Sequence, residues 1–205
     1  MTDNKNIPDV EKKAELWLEK NWKKVIAVII LATIAGMAVF ISLYLKKQKN
    51  DDLMQAFAAA EAAELGALLE KNPTAPGAAA ARIGLAEKLL NEKKYGEAKE
   101  QFKLLASDKN AAAELRSRAK LGSAACDELA GNKKAAADSY LLLVNDSSIP
   151  RRVRDEAAFH AGRLLAEIAD VRGKEVLKKL VNSPADTSMA NPWQAHAAAL
   201  LKSLK

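Results

Sequence analysis

Between Val25 and Leu45 the chain reads VIAVIILATIAGMAVFISLYL, an apolar run without a single charge. As a helix rising about 1.5 Å per residue, such a run covers roughly 30 Å, the hydrocarbon thickness of a bilayer. It is apolar on every face, whereas a surface helix of a soluble domain keeps a polar side. Trp22 and Tyr44 stand at its two edges, where amphipathic rings favour the lipid–water interface. Lys23 and Lys24 close one end; Lys46, Lys47 and Lys49 close the other. A cleaved signal peptide fits poorly, because the charged region before the run is long, the run exceeds the usual apolar core, and no A-x-A-like site follows Leu45. The sequence predicts an uncleaved transmembrane helix over residues 25–45.

Lys5, Lys12, Lys13, Lys20, Lys23 and Lys24 precede this segment, against three lysines just after it. The excess predicts a cytoplasmic tail over residues 1–24 and a large part, from residue 50 on, outside the cytoplasm. The reverse topology is the alternative. Within the tail, VEKKAELWLEKNWKK spaces Val10, Ala14, Trp17, Leu18 and Trp22 as one helical face. That pattern predicts an amphipathic lead-in lying on the membrane surface, with a partner-binding helix as the second reading.

Of the net charge of +6, residues 1–49 carry +4 and residues 50–205 the remaining +2. The basic balance therefore belongs to the flanks of the apolar run. A folded nucleic-acid-binding domain would need its own basic stripe, so no nucleic-acid partner is expected. Aromatic residues are only 5%, and alanine, leucine, lysine and glutamate dominate after residue 50. All four are strong helix formers, which predicts an all-α domain with closely spaced helices. Cys126 is the single cysteine, so no intramolecular disulfide forms. Its alanine- and leucine-rich surroundings predict a small buried hydrophobe.

Residues 46–77 read as a linker and the first helix of the soluble part. Leu53, Ala56, Phe57, Ala60, Ala63, Leu65 and Leu68 supply an apolar face over 51–71, and NPTAPG at 72–77 breaks the helix. Helical stretches in pairs follow, separated at 92–95, 107–110, 131–133, 147–150, 171–173 and 183–186. A repeat of about 38 residues runs through them. Ile83-Gly84 recurs as Leu121-Gly122 and, a similar step further on, as Ala161-Gly162. Tyr95-x2-Ala98-x3-Phe102 recurs as Lys133-x2-Ala136-x3-Tyr140. An alanine lets the second helix of a pair lie close on the first, and the aromatic fills the space beside it. Asn191-Pro192 then starts a last helix, WQAHAAALL from Trp193, because asparagine caps free N–H groups and proline fits the first turn.

YGEAKEQF (95–102) and GNKKAAADSY (131–140) resemble the second halves of tetratricopeptide repeats. For the first halves two registers stand: Leu85-Ala86-x2-Leu89, with alanine at the family's glycine, or Ile83-Gly84 and Leu121-Gly122 at that position. The resemblance implies an all-α fold: one N-terminal transmembrane helix, an α-solenoid of tetratricopeptide-like helix-turn-helix repeats over 78–190, and a C-terminal capping helix over 191–205. Leu85, Ala86, Tyr95, Ala98, Phe102, Gly122, Ala136, Tyr140, Gly162 and Trp193 would be its packing positions. Taken with the anchor, the architecture is similar to the YfgM-like family, the ancillary subunits of the bacterial SecYEG translocon. That resemblance implies a single-pass protein of the bacterial inner membrane whose periplasmic repeats bind translocon subunits, periplasmic chaperones or translocating polypeptides. A repeat scaffold of another envelope assembly is the alternative: cell division, cytochrome maturation or outer-membrane biogenesis.

No motif of catalysis is present: no H-E-x-x-H, no G-x-S-x-G, no phosphate-cradling glycine loop and no paired cysteines. No enzyme activity, cofactor, metal or small-molecule substrate is expected; a hydrolase would require acids gathered around His160. In a tetratricopeptide array the inner faces of the first helices form a concave groove. Arg82, Glu87, Asn91, Arg118 and Arg163 are its candidate polar residues here, suited to holding a peptide by side-chain pockets. Arg151, Arg152 and Arg154 open a further helix after Pro150, as a solvated start or a contact for an anionic partner.

Overall fold

The computed structural model describes residues 9–184 and 191–204, without the side chains of Asp9 and Val10. Lys5, the separator residues 185–186 and the end of the block to residue 190 lie outside the described residues. The described residues form nine α-helices and no strand. The chain divides into two compact units, Met1–Leu53 and Met54–Lys205.

The described part of the first unit is a single helix. α1 (Asp9–Ala59) contains the apolar run and is long and apolar enough to cross a membrane; its last residues, from Met54, belong to the second unit. Its lipid-type residues lie on the surface: Leu31, Val39 and Phe40 are all exposed. The amphipathic lead-in is no separate surface helix, because α1 continues unbroken from Asp9 into the apolar run. No glycine or proline lies between Asp9 and Gly36, and one glycine costs about 1 kcal/mol, too little to end a helix. The expected helix over 51–71 is also corrected. α1 ends at Ala59 and α2 (Ala62–Lys71) begins after an extended Glu61. Phe57 and Ala60 are buried, as are Ala62, Leu65 and Leu69. The step of five from Phe57 to Ala62 would set these two faces about 140° apart on a straight helix. The break re-aims the second face, at the cost of leaving Ala63 exposed.

The second unit continues with α3 (Ala78–Asn91), α4 (Tyr95–Ser107), α5 (Ala113–Leu129), α6 (Lys133–Asn145), α7 (Arg151–Glu167), α8 (Arg172–Val181) and α9 (Pro192–Ser203). From α2 on, each helix packs on the next; α3 also meets α5, α5 meets α7, and α7 meets α9. The repeat is visible in the hydrogen bonds. α3, α5 and α7 end with the same pair of C-terminal bonds: Lys93 to Leu90 and Lys94 to Leu89, Gly131 to Glu128 and Asn132 to Asp127, Ala169 to Ala166 and Asp170 to Leu165. Each end turns through a left-handed residue, Lys93 (φ 61°), Gly131 (φ 84°) and Ala169 (φ 58°). This is the Schellman ending, for which glycine is the unstrained choice. The α4–α5 and α6–α7 connections repeat as well, with Asp108 accepting from Asn110 N–H and Asp146 from Ser148 N–H.

These ends fix which residues of α3, α5 and α7 are equivalent, at a step of 38. Leu85-Ala86 is equivalent to Ser123-Ala124 and Ala161-Gly162, with Ala86, Ala124 and Gly162 all buried. Ile83-Gly84 is therefore equivalent to Leu121-Gly122 and Phe159-His160, and the pairing of Gly122 with Gly162 is corrected. The two glycines do different work. A Cβ at Gly122 would stand 2.8 Å from the Phe102 ring, whereas one at Gly162 would stand 2.6 Å from Leu177 Cγ. Gly84 faces open space.

Ala98, Phe102, Ala136 and Tyr140 are buried as expected, while Tyr95 is half-buried at the start of α4. α9 is seated as the ending predicted. The Asn191 side chain accepts from Trp193 N–H at 3.0 Å and donates to Asp155. Trp193 and Leu200 of α9 pack over Leu177 and Leu180 of α8.

Two substitutions separate a close approach from simple helix propensity. Gly122→Ala is expected to destabilise the protein by about 2 kcal/mol through overpacking; Gly84→Ala is expected to stabilise it by about 1 kcal/mol. Thermal unfolding in mild detergent reads both signs. By the same measurement Ala169→Gly, which relieves a left-handed alanine, raises stability by about 1 kcal/mol.

Candidate functional site

A concave groove of about 480 Å³ opens on the face built by α3, α5 and α7. Its floor is apolar and comes from the repeat described above. Phe102 of α4 and Tyr140 of α6 are repeat equivalents, and each lays its ring on the next first helix. The Phe102 ring lies on Gly122, while the Tyr140 ring stacks on His160 with centroids 5.2 Å apart. Ala119 and Leu121 complete the floor, and Leu115 and Leu129 flank it. Leu129 is half exposed despite its size.

Of the five predicted groove residues, Glu87 and Arg118 line the cavity. Arg163 lies one layer behind, half-buried and paired with Glu128, which does line it. Arg82 turns to α4 instead, donating to Gln101 at 3.3 Å, and exposed Asn91 is the last residue of α3, away from the cavity. Arg118 and Glu156 occupy equivalent places on α5 and α7, one repeat apart, and they form an ion pair at 2.7 Å across the groove wall. Sequence reasoning missed Glu128, Glu156 and the apolar floor. The available signal was the period itself, since Glu156 follows Arg118 by one repeat.

Behind the groove the charges are tied together. Glu128 accepts from Arg163 and, at 3.3 Å, from the Tyr140 hydroxyl. Arg163 also reaches Glu167 at 2.7 Å, which Lys133 holds from the far side at 2.9 Å. Burial, then the Glu128 charge, push the Tyr140 phenol above its ordinary value of 10.0. Burial and then Asp127 push the Cys126 thiol up to about 11, as befits a buried sulfur. His160 sits with Nδ1 3.7 Å from Glu128 and 3.4 Å from Arg163, in contact with the rings of Tyr140, Phe159 and Trp193. So the structure does bring acids, Glu128 and Glu156, to His160, but the first is already engaged by Arg163 and Tyr140 and the second by Arg118. Among the described residues no serine or cysteine hydrogen-bonds to His160, and no group of three His, Cys, Asp or Glu is placed to hold a metal ion.

Arg151 and Arg154 line a second cavity of about 550 Å³ between α6, α7 and α8, and Arg152 does not. Arg151 pairs with Asp155 at 3.5 Å, and Arg154 Nε is buried with no hydrogen-bond partner among the described residues. Comparison with protein-family models, curated proteins and solved structures finds no match to this chain.

Burial, the largest influence, lowers the His160 pKa below its ordinary 6.5, against the opposing pull of Glu128. The unfolded chain then binds the proton more readily than the folded one, so stability rises with pH through the window from the lowered value up to about 6.5. His160→Phe is expected to flatten this slope in unfolding midpoints measured between pH 5 and 8.

Proposed function

We propose that this chain is a membrane-anchored, extracytoplasmic protein-binding scaffold whose α3–α5–α7 groove holds a segment of another polypeptide. The observation that carries the reading is the groove: an apolar floor of about 480 Å³ between charged walls, built by the first helix of each successive pair. Peptide segments are held in this way, by side-chain pockets along a rigid face. The recurrence of the same helix ending in α3, α5 and α7 supports a tetratricopeptide-like solenoid, with α9 as its capping helix. The YfgM-like resemblance supports an ancillary translocon role, with partners among translocon subunits, chaperones or polypeptides in transit.

In this reading α1 crosses the inner membrane of a bacterium with its N-terminus in the cytoplasm. The anchor confines the groove to the membrane surface and so raises its effective concentration beside a channel. The network around His160 has a structural job here. It neutralises charge behind the groove and fixes the Tyr140 ring that forms part of the floor.

Photocrosslinking in cells tests the reading. A photoreactive residue at Leu115, in the groove, is expected to capture translocon subunits or nascent exported chains. The same probe at Leu142, exposed on α6 and outside the groove, is expected not to. Equal capture from both positions would remove the groove as the binding site. The anchor is tested by alkaline extraction, which is expected to leave the protein with the membranes, and a C-terminal reporter is expected to be active only outside the cytoplasm.

A further inference from the structure

We propose that the groove selects polypeptide segments that pair an apolar side chain with a neighbouring lysine or arginine, the cation meeting Glu87. This rests on the groove being the binding site. The charges that line it are unequal: Glu87, Glu128 and Glu156 against Arg118 and His160. Arg118 is already engaged, by Glu156 at 2.7 Å and Glu114 at 3.6 Å. Glu128 is neutralised from behind by Arg163. Burial keeps His160 on the neutral side of its ordinary range. Glu87 is exposed and carries no ion pair or hydrogen bond among the described residues. It is the one charge among the described groove residues free to receive a ligand.

The chemistry of the occupant follows. Ile83 and Glu87 lie one turn apart on α3, and both line the cavity. A side chain resting on the floor beside Ile83 therefore has a carboxylate within a residue or two of reach. A lysine or arginine next to an apolar anchor satisfies both; an acidic neighbour meets a like charge that no free cation of the groove offsets. An exposed pair of this kind adds modest affinity and is weakened by salt, so its signature is selectivity at low ionic strength.

The test uses the full chain in mild detergent and three labelled twelve-residue peptides. They share the same leucine anchors and carry lysine, glutamine or glutamate beside them. At low salt the lysine peptide is expected to bind about tenfold tighter than the glutamate peptide, converging with it as salt rises. Glu87→Gln is expected to cut the lysine-over-glutamine preference by about fivefold while leaving the glutamine peptide unchanged. Glu87→Lys is expected to reverse the order. Because Glu87 is exposed and unpaired, both variants keep the fold, and unfolding midpoints verify this. Equal binding of all three peptides, or indifference to Glu87→Gln, overturns the selectivity and leaves the groove standing as a peptide site. Failure of every peptide to bind removes the groove itself.

Discussion

The rings that α4 and α6 lay on the first helices that follow them govern the centre of this domain. Phe102 on Gly122 and Tyr140 on His160 are the same contact one repeat apart. In the first case the approach is so close that only hydrogen fits in place of a Cβ. In the second an imidazole takes that place and is stacked. Both rings are buried, and both form the floor of the groove. Burying an aromatic side chain removes about 150–250 Å² from water, so these contacts are large contributions to the core as well as to the surface a partner would meet. The groove is thus a by-product of how the helices stack, and its apolar floor is held rigid by the same atoms that hold the fold.

Charge is handled differently at each depth. Asp127 takes the repeat position that leucine fills at Leu89 and Leu165, and it is buried. Lys99 of α4 meets it at 2.6 Å, which keeps that acid from being an uncompensated buried charge. Nearer the surface, Glu128 is shared by Arg163 and Tyr140, and the chain of pairs runs on to Glu167 and Lys133. Most of the ionic groups that line the groove are thus already paired within the chain. Among the described groove residues the exception is Glu87, which is exposed and carries no ion pair.

Much of the helical order was legible in residues alone. The apolar run, the NPTAPG break, the repeat and the Asn191-Pro192 start each rest on local chemistry: hydropathy, missing N–H groups, turn residues and capping. Failures came where local chemistry was silent. Nothing in DDLMQAFAAAEAAELG marks a break at Glu61, since alanine and glutamate are good helix formers, and only the need to bury two differently directed faces ends α1 there. Ala161-Gly162 matched Leu121-Gly122 as letters, yet hydrogen bonds at the helix ends make His160 the repeat equivalent of Gly122. Arg82 was a plausible groove residue by helical position, but a glutamine on the next helix holds it elsewhere.

Sequence by itself determined that this protein is helical, that one segment is long and uncharged enough to span lipid, and that the remaining helices come in similar pairs. Those properties depend on side-chain polarity and on neighbours within about one helical turn, which a single chain displays in order. Tertiary structure alone decided the alignment of the third unit, the different duties of Gly84, Gly122 and Gly162, and the membership of the groove. These depend on which atoms meet across helices that lie far apart along the chain. Such meetings are set by the closest contact each pair of helices can make, and no local pattern records them.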